Sequence, residues 1–118
     1  MLLKNKTAVV TGSNRGIGKE ILKLFSENGA DIFACSRNLT DEFDNFINQT
    51  QKEFNNKIIP IEMNLENENS VKEASKKILS ENIDIDILIN NAASIQTSLF
   101  QMTSIKKMKE LFEINFFS

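Results

Sequence analysis

Residues 7–20 of the chain read TAVVTGSNRGIGKE and place three glycines between two stretches of different apolar pattern. Residues 7–10, before the glycines, are rich in β-branched side chains, which predicts a strand. After the glycines, apolar side chains recur at the spacing of one helix face, at Ile17, Ile21, Leu24 and Phe25. Asn28 and Gly29 end this pattern, because glycine commonly follows the last turn of a helix. The stretch therefore predicts a strand, a glycine turn and a helix.

The rest of the chain repeats the alternation of strand and helix. Three further apolar runs predict strands, at residues 32–35, 58–61 and 85–89. The first helix between them is predicted from Phe43, Phe46, Ile47 and Phe54. The second begins at Asn69 or Ser70 and is predicted from Val71, Ala74, Ile78 and Leu79. After a polar loop at 90–103, a last helix is predicted from Ile105, Met108, Phe112 and Phe116.

Alternating strands and helices predict an α/β fold, in which a parallel sheet carries helices on both faces. Right-handed crossovers leave only the order of the strands open. Pro60 decides between two orders, because a proline in a strand cannot donate to the ladder and belongs on an edge. The doubly wound order 3-2-1-4 puts the third strand on the edge, whereas the flavodoxin-like order 2-1-3-4-5 puts it in the middle. We therefore predict the order 3-2-1-4.

Composition limits the classes of partner. The 118 residues suit one domain, residues 1–118, and a net charge of −2 offers no basic face to nucleic acid and no polybasic segment to a membrane. No apolar run approaches the ~20 residues of a membrane helix. A single cysteine, Cys35, and the absence of histidine provide no metal-ligand cluster and favour a reducing, cytoplasmic location. A small molecule or another protein is the expected partner.

The glycine turn is suited to an anion. The N-terminus of a helix presents backbone N–H groups, and glycines let a pyrophosphate approach the main chain. We assign Gly12 to the tight turn, Gly16 to the close approach and Gly18 to the packing of helix on strand. The alternative is that the three glycines serve only the turn, but their position between a first strand and a first helix favours nucleotide binding.

Two motifs follow predicted strands. The first, after the first strand, is T-G-x-x-x-G-I-G, which stands here as Thr11, Gly12, Ser13, Asn14, Arg15, Gly16, Ile17 and Gly18. The second is Asn90-Asn91-Ala92, after the fourth predicted strand. In these two motifs the sequence resembles the short-chain dehydrogenase/reductase family, and the resemblance covers its whole length. A narrower similarity points to bacterial flagellin and surface-sugar modification members. The resemblance implies the N-terminal half of a Rossmann-type doubly wound sheet, with NAD or NADP across the carboxyl ends of the strands.

The end of the second predicted strand favours NADP over NAD. Ser36 stands where NAD-preferring members of the family carry an aspartate, and Arg37 follows it. A carboxylate there would repel a 2′-phosphate, whereas guanidinium groups offer it a planar fork of donors. Arg15, in the glycine turn, faces the same pocket in this interpretation. Each arginine taken alone is equally consistent with a solvated surface charge.

Five more residues are assigned to the cofactor by the resemblance. Asn64 stands where the family has an aspartate for the adenine amino group, and its amide oxygen can still accept that hydrogen bond. Leu65 lines the adenine pocket or is an ordinary buried leucine. Asn90, Asn91 and Ala92 correspond to the family's N-N-A-G segment, with Ala93 in place of the glycine, and Asn91, Ala92 and Ala93 are the ones assigned to the cofactor. Of the family's substrate loop, only residues 94–98 have counterparts in this sequence.

The family's set of catalytic residues is incomplete in this sequence. Family members transfer hydride with a tyrosine, a lysine four residues later, an upstream serine and an asparagine, and only the asparagine has a counterpart, Asn115. The 118 residues contain no tyrosine. The resemblance therefore implies the NADP(H)-binding part of an oxidoreductase acting on a small carbonyl or alcohol. We expect the domain to be truncated before the Tyr-x-x-x-Lys segment and to be inactive alone.

The last predicted helix has scarcely any polar face, because its apolar residues include Leu111, Phe112, Ile114, Phe116 and Phe117. This pattern favours a homo-oligomer or a complementing chain. An alternative function is therefore a non-catalytic nucleotide-binding or interaction subunit completed by a partner. A receiver-type signalling module needs acidic residues where Thr11, Gly12 and Asn64 stand, so it is disfavoured.

Overall fold

Strands and helices alternate along the computed structural model, which describes residues 1–64 and 66–89. The strands are β1 (Thr7–Val10), β2 (Asp31–Ser36), β3 (Ile58–Glu62) and β4 (Ile87–Ile89). The helices are α1 (Gly16–Glu27), α2 (Asp41–Phe54) and α3 (Glu68–Ser80). No helix in this described part is long and apolar enough to cross a bilayer.

The sheet is parallel and has the order β3-β2-β1-β4, which confirms the predicted doubly wound fold. Pro60 lies on β3, at the edge of the described sheet, opposite Ala34 of β2. Val10 pairs with both Ala34 and Ile89 at the carboxyl end of β1. The carboxyl ends of the strands therefore meet at one edge of the sheet, where a ligand of such folds binds.

Each face of the sheet is covered by different helices. On one face, Leu22 of α1 and Phe43 and Ile47 of α2 belong to one buried cluster with residues of β1, β2 and β3. On the other face, α3 packs its buried side chains onto Val9 and Phe33, contributing Val71, Ala74 and Ile78. Alternate residues of each strand thus enter opposite cores, which is why the strands are apolar throughout.

Three sequence-based details of the elements are wrong. Helix α3 begins at Glu68 rather than at Asn69 or Ser70, because Asn67 caps it by accepting from the Ser70 N–H at 3.1 Å. The fourth strand is shorter than 85–89: just before it, the Asp86 N–H donates to the Thr7 carbonyl at 2.8 Å, but the Thr7 N–H donates to the Asp86 carboxylate at 2.9 Å rather than to a backbone carbonyl. On α1, the predicted apolar face is only partly the buried one.

The buried line of α1 does not coincide with the predicted apolar face. Ile17 and Leu24 are 70% and 54% exposed, whereas Leu22 is fully buried. The buried residues Gly18, Leu22 and Ser26 follow the i, i+4 spacing. Of the residues predicted to form the apolar face, Ile21 and Phe25 are half-buried and pack against this core, whereas Ile17 and Leu24 face outward. Periodicity alone does not separate these two pairs.

Cys35 is a buried thiol in β2. It is 1% exposed and packs with the α3 face of the sheet. Burial raises the pKa of the Cys35 thiol from 9.0 to about 12, because the thiolate would be desolvated. The group is therefore a neutral packing residue at physiological pH.

This burial predicts a pH dependence of stability. Above pH 9 the unfolded chain loses the thiol proton while the native chain keeps it until about pH 12, so the free energy of unfolding falls as pH rises through that window. For this group the slope is up to ~1.4 kcal/mol per pH unit. We expect denaturant titrations between pH 9 and about 11 to show a steeper loss for the wild type than for Cys35→Ala. Parallel profiles for the two proteins would contradict the assignment.

Candidate functional site

The turn between β1 and α1 uses glycine at two left-handed positions. Gly12 has φ +59° and Gly16 has φ +57°, values that L side chains adopt only with strain. A Cβ added at Gly16 would meet nothing within 4 Å, so Gly16 faces open space. Gly18 is buried within α1. The three glycines thus have the local geometry that their spacing predicts.

Hydrogen bonds hold this turn against the ends of two strands. The N–H and hydroxyl of Thr11 donate to the Ile89 carbonyl at 3.1 and 3.4 Å. The N–H and hydroxyl of Ser13 both donate to the Cys35 carbonyl at 3.0 Å. Ser13 is fully buried, and both its N–H and its hydroxyl serve to position the turn. The turn is therefore held between the carboxyl ends of β2 and β4.

The N-terminus of α1 differs from those of the other helices. Thr40 caps α2 and Asn67 caps α3 through their side-chain oxygens, whereas Arg15, the N-cap residue of α1, makes no side-chain cap bond. Its backbone is extended, with φ −161°. The first N–H groups of a helix have no intrahelical acceptor, and α1 has no acidic residue in its first turn. This end of α1 therefore presents donors and the positive end of a helix dipole.

The exposed part of the turn follows Ser13 directly. Asn14, Arg15, Gly16 and Ile17 are all exposed. Their side of the turn is the carboxyl edge of the sheet, because the turn starts where β1 ends. The edge thus combines backbone donors, one guanidinium group and an apolar side chain.

Ser36 and Arg37 lie at the carboxyl end of β2, on the same edge. Ser36 is buried, and its hydroxyl donates to the Asn38 carbonyl at 3.0 Å. The Arg37 side chain is 63% exposed, and its Nη2 lies 3.7 Å from Oε2 of Glu66. Glu66 is not among the site residues predicted from the sequence. The only signal for it is its position just after β3, whose carboxyl end must lie beside that of β2.

Asn64 follows β3 and organises the start of α3. Its N–H donates to the Ser70 hydroxyl at 2.8 Å, and its carbonyl accepts from the Asn67 N–H. Its side-chain oxygen accepts from the Glu66 N–H at 3.1 Å. The oxygen predicted to accept from adenine therefore already accepts one hydrogen bond, and an amide oxygen has a second lone pair. Ser70 and Asn67 were not singled out for this role.

Several predicted features lie outside the described residues. They are the loop at 90–103, the last helix and the assigned residues Leu65, Asn90, Asn91, Ala92, Ala93 and Asn115. Their assignments stay predictions. Within the described part, the turn residues, Ser36, Arg37 and Asn64 share one edge of the sheet, as expected.

Comparison with known protein families gives one match over nearly the whole chain. The family described as short chain dehydrogenase matches residues 6–118. A 3-oxoacyl-(acyl-carrier-protein) reductase of Buchnera aphidicola is 34% identical over 115 residues, which is 98% of this chain and 45% of the relative. A 2-dehydro-3-deoxy-D-gluconate 5-dehydrogenase of Formosa agariphila is 34% identical over 98% of this chain and 44% of its own. The chain thus spans less than half the length of these relatives.

Solved structures give the same result. A short-chain dehydrogenase/reductase from Serratia marcescens superposes with a TM-score of 0.71 at 26% identity, over 79% of this chain and 38% of that one. An alcohol dehydrogenase from Thermococcus sibiricus, complexed with 5-hydroxy-NADP, superposes with a TM-score of 0.66 at 28% identity. That match covers 70% of this chain and 35% of that one.

Proposed function

Because the chain belongs to the short-chain dehydrogenase/reductase family, we propose that it binds NADP(H), in preference to NAD(H), along the carboxyl edge of its sheet. The observation that carries the proposal is the uncapped N-terminus of α1 behind the left-handed Gly12 and Gly16. The whole protein, on this proposal, transfers hydride between NADP(H) and a small-molecule carbonyl or alcohol.

The pyrophosphate fits the glycine turn. Its charge is met by the first N–H groups of α1, and the open space beside Gly16 lets it approach the backbone. The hydroxyls of Thr11 and Ser13 do not line this space, because they hold the turn against β4 and β2. Asn14 and Ile17 are exposed beside it and complete the proposed wall of the site. The donor set is thus mostly backbone, as a pyrophosphate cradle requires.

The 2′-phosphate of NADP(H) is assigned to Arg37 and Arg15. Both are exposed at the carboxyl edge, and no carboxylate stands at position 36 to repel a phosphate. An arginine binds a phosphate through charge-assisted, often paired hydrogen bonds. The NADP analogue bound by the Thermococcus sibiricus structure is consistent with this preference.

The remaining assignments complete the proposal. Asn64 accepts from the adenine amino group with the second lone pair of its side-chain oxygen, and Leu65 packs on the adenine. Asn91, Ala92 and Ala93 continue the cofactor site after β4, and Asn115 is the catalytic asparagine.

The bound cofactor supplies the hydride, and the acid–base group is not among these 118 residues, which contain no tyrosine.

We place the protein in the cytoplasm, since its single cysteine is a buried thiol. Oligomerisation, or completion by another chain, is assigned to the predicted last helix.

A pair of glycine variants tests the phosphate cradle. Gly16→Ala is expected to cost only about 1 kcal/mol of stability, since the strain is confined to the left-handed backbone. Its methyl group enters the space where the pyrophosphate must approach, so we expect NADPH affinity to fall by about tenfold or more, equivalent to ~1.4 kcal/mol. Calorimetric titration of the wild type and the variant with NADPH measures this loss.

Gly29→Ala is the matched control. Gly29 also has a positive φ, +95°, but it precedes β2, at the opposite edge of the sheet. Its added Cβ would meet Met1 Sδ at 3.0 Å and Lys4 Cα at 3.2 Å, so it costs more stability than Gly16→Ala. We expect Gly29→Ala to leave NADPH affinity unchanged below its unfolding temperature. Equal losses of affinity in both variants would contradict the proposed cradle.

A further inference from the structure

The loops that follow β2 and β3 meet at the proposed phosphate site. Ser36 pairs with Glu62, and the Met63 N–H donates to the Ser36 carbonyl at 2.9 Å, so β2 and β3 stay paired to the end of the sheet. Beyond that point Arg37 Nη2 lies 3.7 Å from Glu66 Oε2. The guanidinium group assigned to the 2′-phosphate thus already has an anionic partner on the neighbouring loop.

The backbone of Glu66 is held in place by Asn64. The Glu66 N–H donates to the Asn64 side-chain oxygen at 3.1 Å, and the Asn67 N–H donates to the Asn64 carbonyl at 3.0 Å. Asn64 itself is fixed to Ser70 of α3 by a bond of 2.8 Å. This tight turn keeps the Glu66 carboxylate within reach of Arg37. The ion pair therefore follows from the local fold as well as from opposite charge.

We propose that Glu66 is a specificity-determining residue that weakens the preference for a 2′-phosphorylated nucleotide. This inference rests on the proposed role of Arg37. A phosphate dianion that binds Arg37 must displace Glu66 or lie beside its carboxylate, and the two anions repel each other. A nucleotide with a free 2′-hydroxyl does not incur this cost. Glu66 thus acts through Arg37 to keep the two cofactor types closer in affinity.

The expected effect is moderate, because both side chains are exposed, at 63% and 77%. Exposed ion pairs are screened by water and salt. Removing the carboxylate in Glu66→Gln should therefore tighten binding of a 2′-phosphorylated nucleotide by about two- to fivefold. The gain should shrink at high salt.

The test uses the chain of residues 1–118 with two probes that differ by one phosphate, adenosine 2′,5′-bisphosphate and adenosine 5′-monophosphate. Calorimetric titrations compare the wild type with Glu66→Gln. Glu68→Gln removes the same charge two residues away, on exposed surface, and is the matched control. Repeating the comparison in an Arg37→Gln background shows whether the effect passes through Arg37. Thermal unfolding of each variant shows that it is folded.

We expect Glu66→Gln alone to bind the bisphosphate more tightly, with the monophosphate unchanged, and the gain to vanish in the Arg37→Gln background. Equal gains in Glu66→Gln and Glu68→Gln, or weaker bisphosphate binding in Glu66→Gln, would overturn the inference while leaving the NADP(H) preference intact. If neither the wild type nor Glu66→Gln distinguishes the two probes, the phosphate role of Arg37 is wrong and both proposals are overturned.

Discussion

Replacing Arg37 by aspartate is expected to remove the preference for NADPH, lowering NADPH affinity by roughly tenfold to a hundredfold. The loss follows from one charge-assisted phosphate contact, worth about 1.5 to 3 kcal/mol. The introduced carboxylate adds repulsion to the phosphate and offers acceptors to ribose hydroxyls, so NADH affinity should stay constant or rise. The measurement is calorimetric titration of both proteins with both cofactors.

Lys52→Asp is the control for this experiment. It makes the same change of charge, and Lys52 lies exposed in the last turn of α2, at the opposite edge of the sheet. We expect it to leave the ratio of NADPH to NADH affinity unchanged. Equal affinities of the wild type for the two cofactors, or an undiminished NADPH affinity in Arg37→Asp, would refute the assignment of Arg37.

A polypeptide limited to residues 1–118 is expected to show no hydride transfer at a rate typical of the family, even with NADPH bound. Reduction of a carbonyl creates an alkoxide, and without a positioned acid its charge must be met by water. General acid–base catalysis typically contributes ~10²- to 10⁴-fold. A polypeptide of this extent contains no tyrosine to serve as that acid. On the proposed assignment it has only residues 94–98 of the substrate loop, so we expect the positioning of the carbonyl against the nicotinamide to be lost as well.

The assay follows NADPH consumption over a panel of carbonyl compounds, in parallel with sedimentation. In the described sheet β4 pairs with β1, and its Ile87 and Ile89 are only half-buried. The predicted last helix adds further apolar surface, so we expect the polypeptide to self-associate. A well-behaved monomer that turns over near 1 per second, in the usual enzyme range, would contradict both expectations.

The fold was predictable because its signals are local and consistent. Each strand is an apolar run, each helix has its own periodicity, and the handedness of crossovers restricts the topology. Pro60 then distinguishes the two remaining strand orders, since it must lie at an edge. The left-handed positions of Gly12 and Gly16 were predictable for a similar reason, because only glycine adopts them without strain.

Other features depend on distant partners that a sequence does not display. Ser13 is an ordinary turn residue in the sequence, yet its hydroxyl donates to a carbonyl 22 residues away, on β2. The start of α3 was misplaced because Asn67 and Ser70 are both good capping residues, and the hydrogen bonds of Asn64 decide between them. Glu66 was missed because its partner Arg37 lies on a different loop.

The most direct test of a cofactor site at the carboxyl edge is a titration of the nitrogen-15-labelled chain with NADPH, followed by backbone amide chemical shifts. The account predicts saturable changes in the amide shifts of Gly12 and Gly16, at the glycine turn, and of Arg37, just after β2. The amides of Gly29 and Asn56, at the amino edge of the sheet, should keep their shifts. Changes confined to the amino edge, or none at the glycine turn at saturating NADPH, would contradict it.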